Sequence, residues 1–268
     1  MDAPVAKLHD ALAIQLPSNS PIVLVVFSFV ACSSEPKLSI EEINKVGTDL
    51  GFDGGNGTKE YPFLIKDEAQ LMKIAEAKKN GFYKLTEDIV VTKTATINSD
   101  VTLDMNKKTI SNTADLYKDE TADWSLLSVR EGGKLTVNGN GTFNAKKDDC
   151  YAIDLNGMGV SAVIEDGTII GNVHAVYAFN GILEVKGGTF SVLQKFPEEG
   201  KADEFVLNCY DASKVAGTAV IKVSGGTYAN FNPGNCKAEG EGTNFLVDGY
   251  KATSAEKDGI TWYTVTKK

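Results

Sequence analysis

The chain has 268 residues and a formal net charge of −9, from 27 basic and 36 acidic side chains. Arg130 is its single arginine, and an acidic chain repels phosphate backbones, so we expect no nucleic-acid partner. The four cysteines and two histidines form no Cys-x-x-Cys or Cys/His cluster. We therefore expect no metal site and no cofactor.

The first 32 residues predict a leader for export. The segment PIVLVVFSFVAC at 21–32 holds about ten apolar residues, fewer than the roughly 20 that span a bilayer but typical of a signal-peptide core. Its end, FVAC followed by SSEP, resembles a bacterial lipobox with Cys32 as the lipid-bearing residue. The resemblance implies a protein of the bacterial cell envelope, either an outer-membrane lipoprotein or secreted, which meets a membrane only through its lipid anchor. A cytosolic chain with an apolar patch is the alternative.

Residues 33–50 are interpreted as a linker and residues 51–268 as one elongated domain. Near the start of that domain, DEAQLMKIAEAKKNG at 67–81 predicts an amphipathic helix that covers the N-terminal end of the core. Asp67 is the expected N-cap, with Gln70 three residues later, and Gly81 follows the expected end. The apolar stripe of this helix is Leu71, Ile74 and Ala75.

A short motif recurs along the middle of the chain. LTVNGNGTF at 135–143, AVIEDGTII at 162–170, LEVKGGTF at 183–190 and IKVSGGTY at 221–228 share a Gly-Thr pair, and LDMNKKTI at 103–110 is a degenerate copy. The successive threonines are Thr109, Thr142, Thr168, Thr189 and Thr227, spaced by 33, 26, 21 and 38 residues. Since the motif keeps its form while its spacing varies, we predict stacked structural repeats joined by loops of different length.

Each copy contains alternating apolar residues, which predict a strand with one face in the core. The residues expected to stack inside are Ala162, Leu183 and Ile221 in one column and Ile164, Val185 and Val223 in a second. LTVNGNGTF has one residue more before its glycine, which a β-bulge would explain. A second strand precedes each copy, with the expected inward pairs Leu127/Val129, Ile153/Leu155, Tyr177/Phe179 and Leu207/Cys209.

Two or three short strands per repeat of about 21–26 residues describe a parallel β-helix, while a β-sandwich is the alternative for short strands with regular turns. At the C-terminal end, GTNFLVDGY at 242–250 and ITWYTV at 260–265 predict a closing hairpin with EKDG at 256–259 as its turn. We interpret Trp262 and Tyr263 in this hairpin as capping residues rather than ligand contacts.

Three segments resemble a known family. VTLDMNKKTIS at 101–111, FDGGNGTKEYPFLI at 52–65 and residues 225–264 are similar to right-handed parallel β-helix surface proteins of the pectate-lyase-like superfamily, of the type found in gut Bacteroidota and their phages. The resemblance implies an all-β solenoid with an N-terminal capping α-helix and a C-terminal capping hairpin. It does not select a function, because this fold carries lyases, hydrolases, adhesins and phage fibres.

The variation in repeat spacing falls at one corner of the predicted repeat, and this corner is the candidate ligand site. Long loops at 112–124 and 191–204 would form the walls of a notch, with 146–149 and 171–174 as its floor. Aromatic rings beside carboxylates suit sugar chains, whose apolar faces stack on rings while their hydroxyls donate to acids. The candidate ligand-binding residues are Tyr117, Trp124, Asp148, Asp149, His174, Phe196 and Glu204. Loops that are merely solvated are the alternative.

No catalytic residues can be assigned from the sequence. Glycoside hydrolysis requires two carboxylates roughly 5–10 Å apart, and no motif fixes such a pair here. We expect a secreted, lipid-anchored surface protein for glycan binding or for adhesion and display; the absence of a recognisable catalytic motif favours a non-enzymatic role and leaves an enzyme as the alternative. One alternative is a polysaccharide lyase or glycoside hydrolase that uses acids of the loops 112–124, 144–150 and 191–204. The other is a structural fibre, fimbria-like or phage-derived component.

The leader generates the first testable prediction. Replacing Cys32 with Ser should move the protein from the membrane fraction to the soluble fraction of a bacterial host, because the diacylglycerol acceptor is lost. Fractionation followed by immunoblotting measures this, and the wild-type protein is the control. Equal partitioning of the two proteins would contradict the lipobox interpretation.

Overall fold

The computed structural model describes residues 38–146, 148–194 and 205–268. Leu38–Lys268 form one compact unit. The predicted leader at 1–32, with Cys32, lies outside the described residues, as do Phe196 and Glu204. In the part of the chain that is described, no helix is long and apolar enough to cross a membrane.

Most of the described chain is built from short strands. In chain order the elements are α1 (Ile40–Asp49), β1 (Phe63–Ile65), α2 (Glu68–Ala77), β2 (Gly81–Leu85), β3 (Ile89–Val91), β4 (Ala95–Ile97), β5 (Asp100–Asp104), β6 (Thr109–Asn112), a 3-10 turn (Asp119–Thr121), β7 (Ser125–Val129), β8 (Lys134–Asn138), β9 (Thr142–Asn144), β10 (Tyr151–Leu155), β11 (Ser161–Ile164), β12 (Thr168–Gly171), β13 (Val176–Ala178), β14 (Gly181–Val185), β15 (Thr189–Val192), β16 (Leu207–Cys209), α3 (Asp211–Val215), β17 (Ala219–Val223), β18 (Thr227–Ala229), β19 (Tyr250–Lys257) and β20 (Ile260–Lys267).

The strands form three sheets. One has seven strands in the order β1-β2-β5-β8-β11-β14-β17, one has five in the order β16-β13-β10-β7-β4, and one has eight in the order β19-β20-β18-β15-β12-β9-β6-β3. From β4 to β18, consecutive strands of the chain enter the three sheets in rotation, and each strand from β4 to β15 pairs in parallel with the strand one repeat later. Antiparallel pairing among the named strands is confined to β20 with its two neighbours. This pairing is not that of an antiparallel β-sandwich.

The predicted registers of the Gly-Thr motif are confirmed. Thr109, Thr142, Thr168, Thr189 and Thr227 pair in one continuous column of the eight-stranded sheet. In the seven-stranded sheet, Leu183 pairs with Ala162 and Ile221, and all three are buried. Val185 pairs with Ile164 and Val223, which are likewise buried. One hydrophobic cluster contains residues from all three sheets, so the inward columns form a common core.

The extra residue of LTVNGNGTF lies in a turn rather than in a strand. Val137 pairs with Ile164, and Thr142 pairs with Thr168. Four residues lie between Val137 and Thr142, whereas three lie between Ile164 and Thr168. The turn between β8 and β9 absorbs the difference, where Gly139 and Asn140 have φ of 84° and 57°. The left-handed region suits glycine and asparagine, and a bulge within β8 was therefore the wrong expectation.

The predicted helix is present as α2, with a different end. The Asp67 carboxylate caps it by accepting from the Gln70 amide at 2.9 Å, and Leu71 and Ile74 are fully buried. The helix ends at Ala77, followed by Lys78 in the left-handed conformation with φ of 46°, rather than near Gly81. A second helix, α1, lies inside the segment 33–50 that was interpreted as a linker. A capping box between residues 39 and 42 begins it.

The C-terminal hairpin forms, but its first strand lies later than predicted. Strand β19 begins at Tyr250 and pairs with β20, and the two residues between them, Asp258 and Gly259, both have positive φ. The two-residue turn with positive φ matches the right-handed twist of antiparallel strands. Of the segment 242–249, Leu246 makes an isolated bridge to Val223. The EKDG turn was correctly placed, whereas GTNFLVDGY is not a strand.

The inward columns give a direct test of the register. Replacing Val185 with Asp should reduce the free energy of unfolding by several kcal/mol, because an unpaired carboxylate would enter a fully buried apolar site. Ile182 lies in the same strand with 41% of its side chain exposed, so Ile182→Asp is the matched control and should change stability little. Urea unfolding measures both, and similar losses in the two variants would contradict the inward assignment.

Candidate functional site

Aromatic rings gather on the outer face of the five-stranded sheet. We call this set the aromatic surface: Tyr117, Trp124, Tyr151, His174, Tyr177, Phe179 and Tyr210. Trp124 directly precedes β7, Tyr151 begins β10, Tyr177 is in the middle of β13 and Tyr210 follows β16. Neighbouring parallel strands lie about 4.8 Å apart, so Phe179 and Tyr210, which directly follow the paired residues Ala178 and Cys209, come into contact.

The ring contacts are continuous across the surface. Phe179 links Trp124 to Tyr210, with centroid distances of 5.4 Å and 4.8 Å. Tyr177 lies 6.0 Å from the ring of Trp124 and stacks on His174 at 5.0 Å with an interplanar angle of 11°. Edge-to-face and stacked pairs at such distances stabilise one another beyond their buried area. The rings therefore form one packed layer.

The layer has a buried base and an exposed upper part. Tyr151 and His174 retain only 8% and 7% of their exposure, whereas Tyr210 is 43% exposed. Tyr117, Trp124, Tyr177 and Phe179 are half-buried. A ligand would thus meet the half-buried rings and Tyr210, while Tyr151 and His174 support them from below.

Two residues of this surface contradict the predicted orientation of the second strand. Tyr177 and Phe179 were expected inside, but Val176 and Ala178 are the buried residues and pair with Leu207 and Cys209. The run Ala175-Val176-Tyr177-Ala178-Phe179 is apolar on both faces, so alternation alone cannot select the inward face. The core accepts the small side chains, and the rings lie outside.

The first wall of the predicted notch lies against the sheet. Leu116 of the segment 112–124 is 2% exposed and belongs to the core cluster. Tyr117 makes an edge contact with Tyr151 at 5.9 Å. The Trp124 ring rests on the sheet's rings, with its Nε1 donating to the Asp119 carboxylate at 3.1 Å. The segment therefore forms one border of the aromatic surface.

The predicted floor is a network of amide and carboxylate hydrogen bonds. Asn112 Nδ2 donates to Asp148 Oδ2 at 3.1 Å, and Gln194 Nε2 donates to Asp149 Oδ1 at 3.1 Å. The Asp149 backbone donates to Asn172 Oδ1 at 2.8 Å. The corners of successive repeats thus meet as predicted. Burial raises the pKa of the Asp148 carboxyl, and Asp149 is exposed.

His174 is a buried, neutral residue. Its Nδ1 lies 2.7 Å from the Phe205 carbonyl oxygen and donates to it. Burial lowers the pKa of the imidazole to about 4, although this hydrogen bond opposes the shift. At neutral pH the side chain carries no charge and serves as a ring beneath Tyr177.

A buried carboxylate, Asp154, lies beside the rings, and no sequence motif points to it. It pairs with Ser128 and Tyr177 in the neighbouring strands and is fully buried. Ser125 Oγ and Ser128 Oγ both donate to it, the latter at 3.0 Å. Burial raises the pKa of this carboxyl to about 6, against the opposing effects of the two serines and Arg130. A charged group kept in such a place is costly and marks candidate functional sites.

Arg130 connects this carboxylate to the wall segment. Its Nε donates to Ser128 Oγ at 2.8 Å, and its Nη2 donates to the Ala122 carbonyl at 2.6 Å and to Asp123 Oδ1 at 3.0 Å. In the fold it joins the segment 112–124 to the five-stranded sheet.

The chain shows no match to any protein-family model, curated protein or solved structure in the comparisons made. Among the described residues, no three or more His, Cys, Asp and Glu side chains are grouped so that they could hold a metal ion. Function is therefore argued from the aromatic surface and its supporting network.

The buried carboxylate predicts a pH dependence of stability. The pKa of Asp154 is raised from 3.8 to about 6, so the folded protein holds this proton more tightly than the unfolded chain. The bound proton stabilises the folded state by on the order of 3 kcal/mol near pH 4. This stabilisation is lost as the pH rises through 6. The stability of Asp154→Asn relative to wild type should accordingly increase between about pH 4 and pH 7.

Urea unfolding at a series of pH values measures this difference. His174 contributes with the opposite sign, because its pKa is lowered, but it does so in both proteins and cancels. A stability difference that stays constant over this range would contradict the buried, titrating carboxylate.

Proposed function

We propose that the described region is a right-handed parallel β-helix, with α2 and the C-terminal hairpin as its end caps. The rotation of successive strands among three sheets supports this architecture, as does the parallel pairing of each strand with the one a repeat later. The segments similar to pectate-lyase-like surface proteins give the same expectation. In such a solenoid each sheet presents a long outer face.

We further propose that the protein binds glycans through the aromatic surface, as a secreted or lipid-anchored protein of the bacterial cell surface. The observation that carries this proposal is the continuous row of Trp124, Phe179 and Tyr210, half-buried to exposed, across the outer face of one sheet. Partly exposed rings offer the apolar contact that sugar rings require, and nearby polar groups can bond hydroxyls.

The charges around the rings favour neutral sugars over uronic acids. Burial raises the pKa of the Tyr117 hydroxyl, and Asp119 and Asp149 raise it further. Burial likewise raises the pKa of the Tyr177 hydroxyl, and Asp211 raises it further. The Arg130 cation is already engaged by Asp123 at 3.0 Å. Carboxylates within electrostatic reach of the rings would repel an anionic chain and can accept hydroxyl hydrogens from a neutral one.

Retention of the purified protein on a panel of neutral and uronic polysaccharides tests the proposal. Trp124→Ala and Tyr210→Ala should each weaken binding to a neutral glycan by roughly ten-fold, the usual effect of removing a stacking ring from a binding site. Trp262→Ala is the control, because this residue lies in the C-terminal hairpin, and it should affect stability more than binding.

The outcomes separate the alternatives. Retention that is unchanged by both ring substitutions would contradict the assigned surface. Release of new reducing or unsaturated ends during incubation would favour the polysaccharide lyase or hydrolase. Absence of retention on every glycan of a broad panel would favour a structural fibre component.

A further inference from the structure

We propose that Asp154 and Arg130 are positioning residues of the aromatic surface, which fix the Trp124 ring through its two chain neighbours, Ser125 and Asp123. The ligand-binding part of this inference rests on the glycan-binding function proposed above. The positioning part rests on contacts alone and can be measured without a ligand.

Both neighbours of Trp124 are held by this network. On one side, Ser125 Oγ donates to the fully buried Asp154 carboxylate. On the other, Asp123 receives a hydrogen bond from Arg130 Nη2 at 3.0 Å. Arg130 and Asp154 are themselves joined through Ser128 Oγ, which accepts from Arg130 Nε and donates to Asp154.

The remaining bonds of Trp124 complete the placement. Its carbonyl accepts from the Tyr151 backbone at 2.7 Å, and its indole nitrogen donates to Asp119. The backbones of Lys118 and Asp123 exchange hydrogen bonds of 2.7 Å and 3.1 Å, which close the intervening turn. Arg130 is thus the side chain that ties the end of the segment 112–124 at Ala122 and Asp123 to the sheet, and the loss of this contact would loosen the turn that carries Asp119.

Proton transfer to Asp154 changes a hydrogen bond beside Trp124. Ser125 Oγ has one hydrogen but lies within reach of two acceptors, the Asp154 carboxylate and the Leu127 carbonyl at 2.9 Å. When Asp154 is ionised, its carboxylate accepts the hydrogen bond from Ser125 Oγ. A protonated carboxyl can instead donate to Ser125 Oγ, whose hydrogen then turns to Leu127. The same proton removes the negative charge that attracts Arg130, so the connection from Asp154 through Ser128 to Arg130, which anchors the cation at the sheet, weakens.

The charged and titratable groups that act on Asp154 come from every side of it. Arg130 lowers its pKa and Asp123 raises it. Burial raises the pKa of Cys150 and of Tyr151 far above neutral pH, and the charge of Asp154 raises both further. His174, in the same layer, has its pKa lowered to about 4. Asp154, with a pKa raised to about 6 chiefly by burial, is therefore the member of this group that changes charge between about pH 5 and 8.

Trp124 fluorescence tests the positioning directly. The chain has two tryptophans, so a Trp262→Phe background makes Trp124 the single reporter. Its emission and the hydrogen exchange of residues 116–124 should both change with a midpoint near pH 6, since protonation loosens the wall. This titration needs no substitution in the network. Emission and exchange protection that stay constant from about pH 5 to 8 would overturn the proposal.

Two substitutions in this background identify the titrating group. Asp154→Asn should abolish the transition, whereas Asp248→Asn, at an exposed carboxylate of the C-terminal segment, should leave it intact. Arg130→Gln should move the midpoint upward, because the cation that favours ionised Asp154 is gone. Packing alone would not shift a midpoint. A transition that persists in Asp154→Asn, or a midpoint that Arg130→Gln leaves in place, overturns the assignment.

A neutral glycan retained by the protein tests the coupling to binding. Its affinity should fall by about five-fold from pH 7.5 to pH 5, the low end of usual coupling strengths, and Asp154→Asn should remove this dependence. A fluorescence transition without any glycan binding would support the positioning role while contradicting the proposed function. A glycan affinity that does not change with pH while the Trp124 fluorescence does would overturn the coupling.

Discussion

The structure depends on one constraint, the in-register parallel pairing of each strand with its counterpart one repeat later. Parallel pairing places like position on like position, so a side chain that suits one repeat must also suit the repeats above and below. Inside, this gives the columns through Leu183 and Val185, in which every member is apolar and buried. Outside, the same register places Phe179 beside Tyr210, directly after the paired residues Ala178 and Cys209. Elsewhere on this face the outward positions differ between repeats, since Asp154 pairs with Ser128 and Tyr177, and the large Trp124 ring reaches Phe179 across the sheet.

The layer of rings also creates the environment of the groups below it. Rings and the segment 112–124 exclude water from Asp154 and His174, which removes the solvation that charged forms need. Asp154 holds its proton more tightly and His174 releases its proton more readily, so both side chains tend towards neutrality. Ser125, Ser128 and Arg130 make a charge on Asp154 tolerable. Packing and electrostatics at this face are therefore a single arrangement.

The sequence was informative where chemistry repeats and uninformative where it does not. The column through Thr142 could be predicted because the motif recurs with one glycine turn and one alternation. Tyr177 was oriented wrongly because both faces of its strand are apolar. Only the pairing of Val176 with Ile153 and of Ala178 with Leu155 selects the inward side. Trp124 was recognised as a candidate, but its contacts with Phe179 join residues far apart in the chain. Asp154 gave no signal, since a single acid in a strand resembles any exposed one.

The alignment of the aromatic surface sets a length scale. The ring centroids of Trp124, Phe179 and Tyr210 are separated by 5.4 Å and 4.8 Å in turn, so the ends of this row lie at most about 10 Å apart. An elongated molecule that follows this row would contact all three rings, whereas one that crosses it would contact a single ring. Under the glycan-binding function that we propose, such a surface would measure the length of a polymer more than the identity of any one of its units.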